Sequence, residues 1–214
     1  MNYWLTTHWP PLETNKDGKQ KDVYIADGRE KAGKKLKKGD LVFIYESKSG
    51  RSEKRSSVDG ETKINDRILG REGIVSLVEL TTELYKDECT EPLNYADGTN
   101  LWWRWHANSK IITTNGFVPR VKVNKILNYK ENYTLRGFGT KSSGLKKISE
   151  YQFNSFLDEF KNNANRVDNL PPYTVNGESS EESILHKQLK YYIAKNPVQA
   201  LTEAGLKTLK VEYH

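Results

Sequence analysis

The sequence predicts an α+β protein, a small β-barrel with flanking helices, followed by an incomplete helix-strand segment at the C-terminus. Three observations carry this. Leu41-Val42-Phe43-Ile44-Tyr45 is an unbroken apolar run of strand length, rich in β-branched and aromatic residues. Such a run is buried on both faces, which places it in a barrel or a covered sheet. Other short extended segments are separated by Gly, Pro and Asp. Residues 149–162 carry Tyr151, Phe153, Phe156, Leu157 and Phe160 at helical spacing behind the capping residue Ser149.

In chain order, residues 3–7 form a first strand, ended by Trp9-Pro10-Pro11 because proline cannot continue a ladder. Residues 23–26 are a short extended segment closed by Asp27-Gly28, and residues 29–36 suit a short basic helix. Lys37-Lys38-Gly39-Asp40 is a compact turn, with Gly for a positive φ and Asp for a local side-chain cap. Residues 48–71 are a charged insertion with almost no apolar residues, expected as a mobile loop or a hairpin excursion. Residues 73–80 return to the β pattern, 81–100 are irregular and acidic, and 101–107 alternate as a strand. Residues 117–119 and 121–123 read as one extended piece ending at Ile126-Leu127. Gly137-Phe138-Gly139 opens a loop, and residues 145–148 lead into the helix.

The formal charge is +6, with 34 Lys and Arg against 28 Asp and Glu, and the isoelectric point is about 9.1. A moderate basic excess fits an anionic partner, most often nucleic acid. Cys89 is the only cysteine, which excludes a disulfide framework and a cysteine zinc site and points to a reducing setting. No signal peptide and no transmembrane run is visible, so a cytoplasmic location without a membrane partner is expected. Five Trp and 12 Tyr in a chain of mean hydropathy −0.79 exceed what a small core needs. Their faces suit stacking on bases as well as packing.

Several motifs fail on their own chemistry. Gly28-x-x-x-x-Gly33-Lys34 approaches a P-loop, but Lys35 stands where the Mg²⁺-binding hydroxyl must be. Glu61-Thr62-Lys63 matches the E-x-K half of a nuclease site, yet it lies in the charged insertion rather than on a packed strand. The four histidines have no ligand spacing. The cations Lys34, Lys35, Lys37, Lys38, Lys48, Arg51, Lys54 and Arg55 flank the apolar strand on both sides, a pattern suited to phosphates.

Tyr3-Trp4-Leu5, then Lys38-Gly39-Asp40 through Tyr45-Glu46-Ser47, then Gly73-Ile74-Val75-Ser76-Leu77-Val78-Glu79 resemble the EVE domain of the PUA-like superfamily. That family shows an opening Tyr-Trp, a G-D-x-(apolar)-Tyr-x-Ser strand and a G-I-V-G strand. Ser76 departs from the last glycine, and the 48–71 insertion is longer than usual. The resemblance spans about residues 1–160. It implies a PUA-like barrel related to YTH and SRA-type modules, holding a modified base flipped out of DNA. Methylated or hydroxymethylated cytosine and methyladenine are the implied bases. In prokaryotes such domains front modification-dependent restriction enzymes. By motif position, Trp4, Tyr45 and Ser47 carry over as pocket residues, with Trp102, Trp103 and Trp105 a looser match. Alternation puts Trp102 opposite Trp103 and Trp105, without saying which face lines the pocket.

The domain is expected over residues 1–164, a proline-containing linker over 165–180, and the start of an effector domain over 181–214. There Glu182, Leu185, His186, Leu189 and Asn196-Pro197 are similar to the first helix of certain PD-(D/E)xK nucleases, which nominates Glu182 as a metal-site residue. The chain as given is not expected to cut DNA. It calls for no cofactor, and Mg²⁺ only within a complete nuclease domain. DNA with modified bases is the expected partner. An RNA-binding module and a small-molecule sensor are the alternatives, and the oligomeric state is open.

Overall fold

The computed structural model describes residues 1–15, 22–31, 33–56, 62–135 and 144–163, all within the first unit of the chain, Met1–Tyr173. The expected Gly137-Phe138-Gly139 loop, the 165–180 linker and the 181–214 segment with Glu182 lie outside the described residues.

The strands are β1 (Tyr3–His8), β2 (Val23–Ile25), β3 (Leu41–Glu46), β4 (Glu53–Ser56), β5 (Thr62–Asn65), β6 (Gly73–Leu80) and β7 (Tyr85–Lys86). They continue with β8 (Leu93–Asn94), β9 (Asn100–Leu101), β10 (Trp105–Ala107), β11 (Ser109–Thr113) and β12 (Val118–Pro119). Helix α1 (Arg120–Ile126) precedes β13 (Leu145–Ile148) and α2 (Glu150–Asn162). The main sheet runs β11-β6-β3-β1-β13, with β12 also on β6. Among the described strands only β1 and β3 pair in parallel. A second sheet, β2-β10-β7, is joined to the first where β10 passes through Asn108 into β11. The fold is α+β.

The apolar run is β3, central in the main sheet and covered on both faces. Successive side chains point to opposite faces of a strand, and two cores result. Phe43 and Tyr45 join Leu5, Ile74 and Ile148 against Phe153, Phe156 and Phe160 of α2. Val42 and Ile44 join Trp4, Val78 and Leu80 against Val23, Ile25 and Ala107 of the small sheet. Phe43 meets the rings of Phe153, Phe156 and Phe160 at 5.2, 5.8 and 6.2 Å. Each fully buried aromatic of this kind stabilises by about 1.5–3 kcal/mol.

Helix α2 starts where its sequence signal lies. Ser149 Oγ accepts from Gln152 N, and Gln152 Oε1 accepts from Ser149 N, a complete capping box. Tyr151 faces water, so the apolar stripe is narrower than its spacing predicts. Residues 120–126 are helical rather than extended. Pro119 is the extended N-cap just before the first helical residue, Arg120, and Val123 and Leu127, four residues apart, both reach the core. Of the basic helix expected at 29–36, the described residues show a single 3₁₀ turn, Gly33–Lys35. The edge strand β11 is not among the expected strands, although Ile111-Ile112-Thr113 is β-branched.

The turn before β3 holds as read. Gly39 has φ +85°, and buried Asp40 accepts from Lys37 N at 3.1 Å, Asn2 N at 2.8 Å and Trp4 Nε1 at 2.9 Å. The 48–71 insertion takes the hairpin form, β4 paired with β5.

Candidate nucleic-acid interface

Two of the expected pocket residues are core. Trp4 packs in the second core with its indole N–H held by Asp40. Tyr45 is 1% exposed in the first core, and burial pushes its hydroxyl pKa up. Neither ring faces a ligand without opening a core. Ser47 does sit at a strand end. Its N–H donates to His8 O at 2.9 Å, and its Oγ–H lies 3.0 Å from both His8 O and Ser49 O. It ties the end of β3 to the end of β1 and so places His8 and Trp9.

The three tryptophans of 102–105 go to different places. Residues 102–104 are not strand, so simple alternation does not apply through them. Trp102 is exposed beneath the Arg104 guanidinium, 4.6 Å from its ring centre. Trp103 donates its indole N–H to Tyr95 Oη at 2.8 Å. Trp105 packs against the second core with Lys34 Nζ 5.5 Å over its ring. Trp103 and Trp105 therefore do not share one wall.

What gathers at the Ser47 end of β3 is a different set of rings. Trp9 lies edge-on to Tyr95 at 5.6 Å and to Trp103 at 5.7 Å. His8, next in the chain, lies 6.3 Å from Tyr24. Tyr24, His106 and Tyr85 stand at one register across β2, β10 and β7. Their ring contacts are 5.0 Å for Tyr24–His106 and 5.9 Å for His106–Tyr85. Tyr24 and Tyr85 are 43% and 41% exposed, so both present usable faces. Burial lowers the His106 pKa and keeps the ring neutral at pH 7, and its buried Nε2 has no hydrogen-bond partner among the described residues. His8, Trp9, Tyr24, Tyr85, Tyr95 and His106 were all missed as site residues. Single aromatics in short strands carry no spacing signal, although Trp9 before two prolines marked the strand end.

In the sequence the cations divide into two groups, one before β3 and one after it. Lys34, Lys35, Lys37 and Lys38 precede it, and Lys48, Arg51, Lys54 and Arg55 follow it. Lys37 pairs with Glu83 at 3.0 Å, Arg51 with Asp97 at 3.5 Å and Arg55 with Glu53 at 3.3 Å. Lys35, Lys38, Lys48 and Lys54 are exposed with no ion pair among the described residues. A shallow depression of about 440 Å³ lies at α1, lined by Arg120, Val121, Glu131 and Asn132. None of the expected pocket residues touches it.

No family model and no curated protein matches the chain. Among solved structures it is similar to human THYN1 protein, crystallised in complex with DNA containing 5-methylcytosine. The identity is 13%, covering 74% of this chain and 96% of that one, with a TM-score of 0.42. It is also similar to Rpa0253 from Rhodopseudomonas palustris, solved by NMR. There the identity is 14%, covering 83% of this chain and 100% of that one, with a TM-score of 0.35. Likenesses this distant decide nothing about function, which is taken from the chain's own residues.

Proposed function

We propose that residues 1–164 bind DNA and read a modified base, flipped out of the duplex onto the aromatic rings at the Ser47 end of β3. The observation that carries this is the run of partly exposed rings there, Trp9 with Trp103 on one side of the His8-Trp9 step and Tyr24 with His106 and Tyr85 on the other. Extruding a base costs about a few kcal/mol, and each base–aromatic stack returns about 1–3 kcal/mol. The His106 ring packs against both exposed tyrosines and holds them in place as stacking faces. The ordered motifs resembling an EVE domain support the same reading.

Anisotropy titrations of duplexes carrying methylated or hydroxymethylated cytosine, methyladenine or no modification test it. One modified duplex is expected to bind more tightly than plain DNA. Tyr24→Ala, which removes an exposed ring face, should erode that preference by about fivefold or more, the loss of one stack. Equal, salt-insensitive binding to all four duplexes would sink the proposal. In the finer form of this reading, the module is the N-terminal specificity part of a modification-dependent endonuclease. The similarity of residues 182–197 to a nuclease helix is the ground for that, and cleavage assays with Mg²⁺ on any longer protein that carries these residues test it.

The exposed ladder of Tyr24, His106 and Tyr85 favours a second reading, because rings at one register on adjacent strands suit stacked single-stranded bases. Competition between modified duplex and single-stranded or structured RNA separates the two.

A further inference from the structure

A second basic surface lies on the other side of β1, around β13 and the turn that follows α1. Residues 120–135 and 144–150 carry six cations against the two carboxylates Glu131 and Glu150. Among the described residues, Arg120 and Lys122 pair with Glu72 and Glu159 at 2.9 and 3.0 Å, whereas Lys130, Lys146 and Lys147 have no carboxylate partner. Strand β13 is an edge of the main sheet, with Lys146 opposite Leu5 and Lys147 opposite Trp4. Opposite residues share a face, so the two ammonium groups leave the edge on opposite faces of the sheet. Lys146 Nζ lies 5.4 Å over the Tyr129 ring, and Lys147 Nζ lies 6.0 Å over the Trp4 ring.

The turn beside Lys146 is a built one. Buried Asn124 donates from Nδ2 to Glu131 O at 2.8 Å and to Tyr133 O at 2.9 Å, and its own carbonyl accepts from Tyr129 N at 2.8 Å. Tyr133 N closes the turn on Lys130 O at 2.9 Å, which brings the Tyr129 and Tyr133 rings to 4.8 Å. Lysines on an edge also discourage strand pairing, but that role needs neither a pinned turn nor a pair of tyrosines. Lysine and tyrosine side chains held in place together suit phosphate oxygens. The position along β1 fits as well. Gly144 O accepts from Thr7 N at 2.9 Å, so β13 begins beside the His8 end of β1. Lys146, level with Leu5, stands three residues from His8, about 10 Å along the strand. One DNA strand carries a charge about every 3.4 Å of helix axis, which makes that distance about three nucleotides.

We propose that the β13 edge and the Tyr129 turn form a DNA-backbone surface, on which Lys146 and Lys147, with Lys130 beside them, hold phosphates about three nucleotides from the flipped base. The placement along the DNA rests on the base-reading proposal above, while the contact with DNA does not.

The test titrates the full chain, as wild type and as Lys146→Gln with Lys147→Gln, against modified and plain duplexes over a range of salt, with thermal melts to verify folding. The double variant should flatten the slope of log K against log salt by up to about 1.8, the loss of two phosphate contacts. The ratio of plain-duplex to modified-duplex Kd should stay as in wild type, because phosphates carry no base information. Lys146→Arg with Lys147→Arg keeps both charges and should keep the wild-type slope. Methylphosphonates at the third and fourth phosphates on each side of the modified base should weaken binding by wild type and leave the glutamine variant unaffected, since it has already lost those contacts. A wild-type slope in the glutamine variant overturns the surface and leaves base reading intact. Equal weakening of both proteins by the methylphosphonates overturns the three-nucleotide placement. Wild-type protein that binds modified and plain duplexes equally overturns base reading, and the slope comparison still decides the surface.

Discussion

Asp40 shows how one side chain joins the sequence signal to the packing. It was legible as a turn cap, and it also holds the indole of Trp4 and the backbone of Asn2. Burial pushes its pKa up, but the hydrogen bonds from Trp4, Asn2 and Lys37 outweigh that and hold it below the usual carboxylate range. Its contribution to stability is therefore present above the unfolded value near 3.9 and is lost as pH falls through the lower folded value. Asp40→Ala should cost about 1–3 kcal/mol at pH 7, chiefly from the unpaired indole N–H. Chemical denaturation across pH 2–7 should show the gap between wild type and variant narrowing only in the acid range. Trp4 and Tyr45 make the complementary point. An aromatic in a family motif has the same residue type whether it lines a pocket or fills a core, and burial alone decides.

Elements were legible where a local rule coincided with the tertiary need. The apolar run at β3, the β6 run and the capped α2 all appear at their expected places, because period, cap and burial agree there. Ser149→Ala removes the cap acceptor and should lower stability by about 1 kcal/mol. Phe156→Ala empties a site touching Phe43 and should cost about 3–5 kcal/mol. Melting both variants beside wild type checks the order, and a larger loss from the cap than from the core would contradict it. Elements were illegible where packing overrode local preference. The Val121-Lys122-Val123 segment is β-prone by residue type, yet Pro119 and the four-residue spacing of Val123 and Leu127 make it a helix. The 101–107 alternation is broken because Trp102, Trp103 and Trp105 each have a different partner. The insertion was half-legible: its charge excluded a core role, while its anchoring by Arg67 involves residues 57 positions apart, which no local pattern shows.

At the scale of the molecule, the net charge of +6 does not form one patch. A six-residue strand spans about 20 Å, so Lys38, in the turn before β3, and Lys48, just past its end, stand more than a Debye length of about 8 Å apart at physiological salt. They cannot act as one field on the same few phosphates. The aromatic site lies at the Ser47 end, which makes Lys48 and Lys54 the cations placed for phosphates beside a flipped base, while Lys37 and Lys38, in the turn closed by Asp40, lie toward the other end. Each lost phosphate contact should reduce the slope of log K against log salt by about 0.9. Lys48→Gln with Lys54→Gln should therefore flatten that slope by up to about two, and Lys37→Gln with Lys38→Gln should flatten it much less. Both pairs should keep the preference between modified and plain duplex, because phosphate contacts carry no base information. The reverse order of slopes would move the DNA to the Asp40 end of β3, away from Trp9, Tyr24 and His106, and would separate the basic surface from the aromatic one.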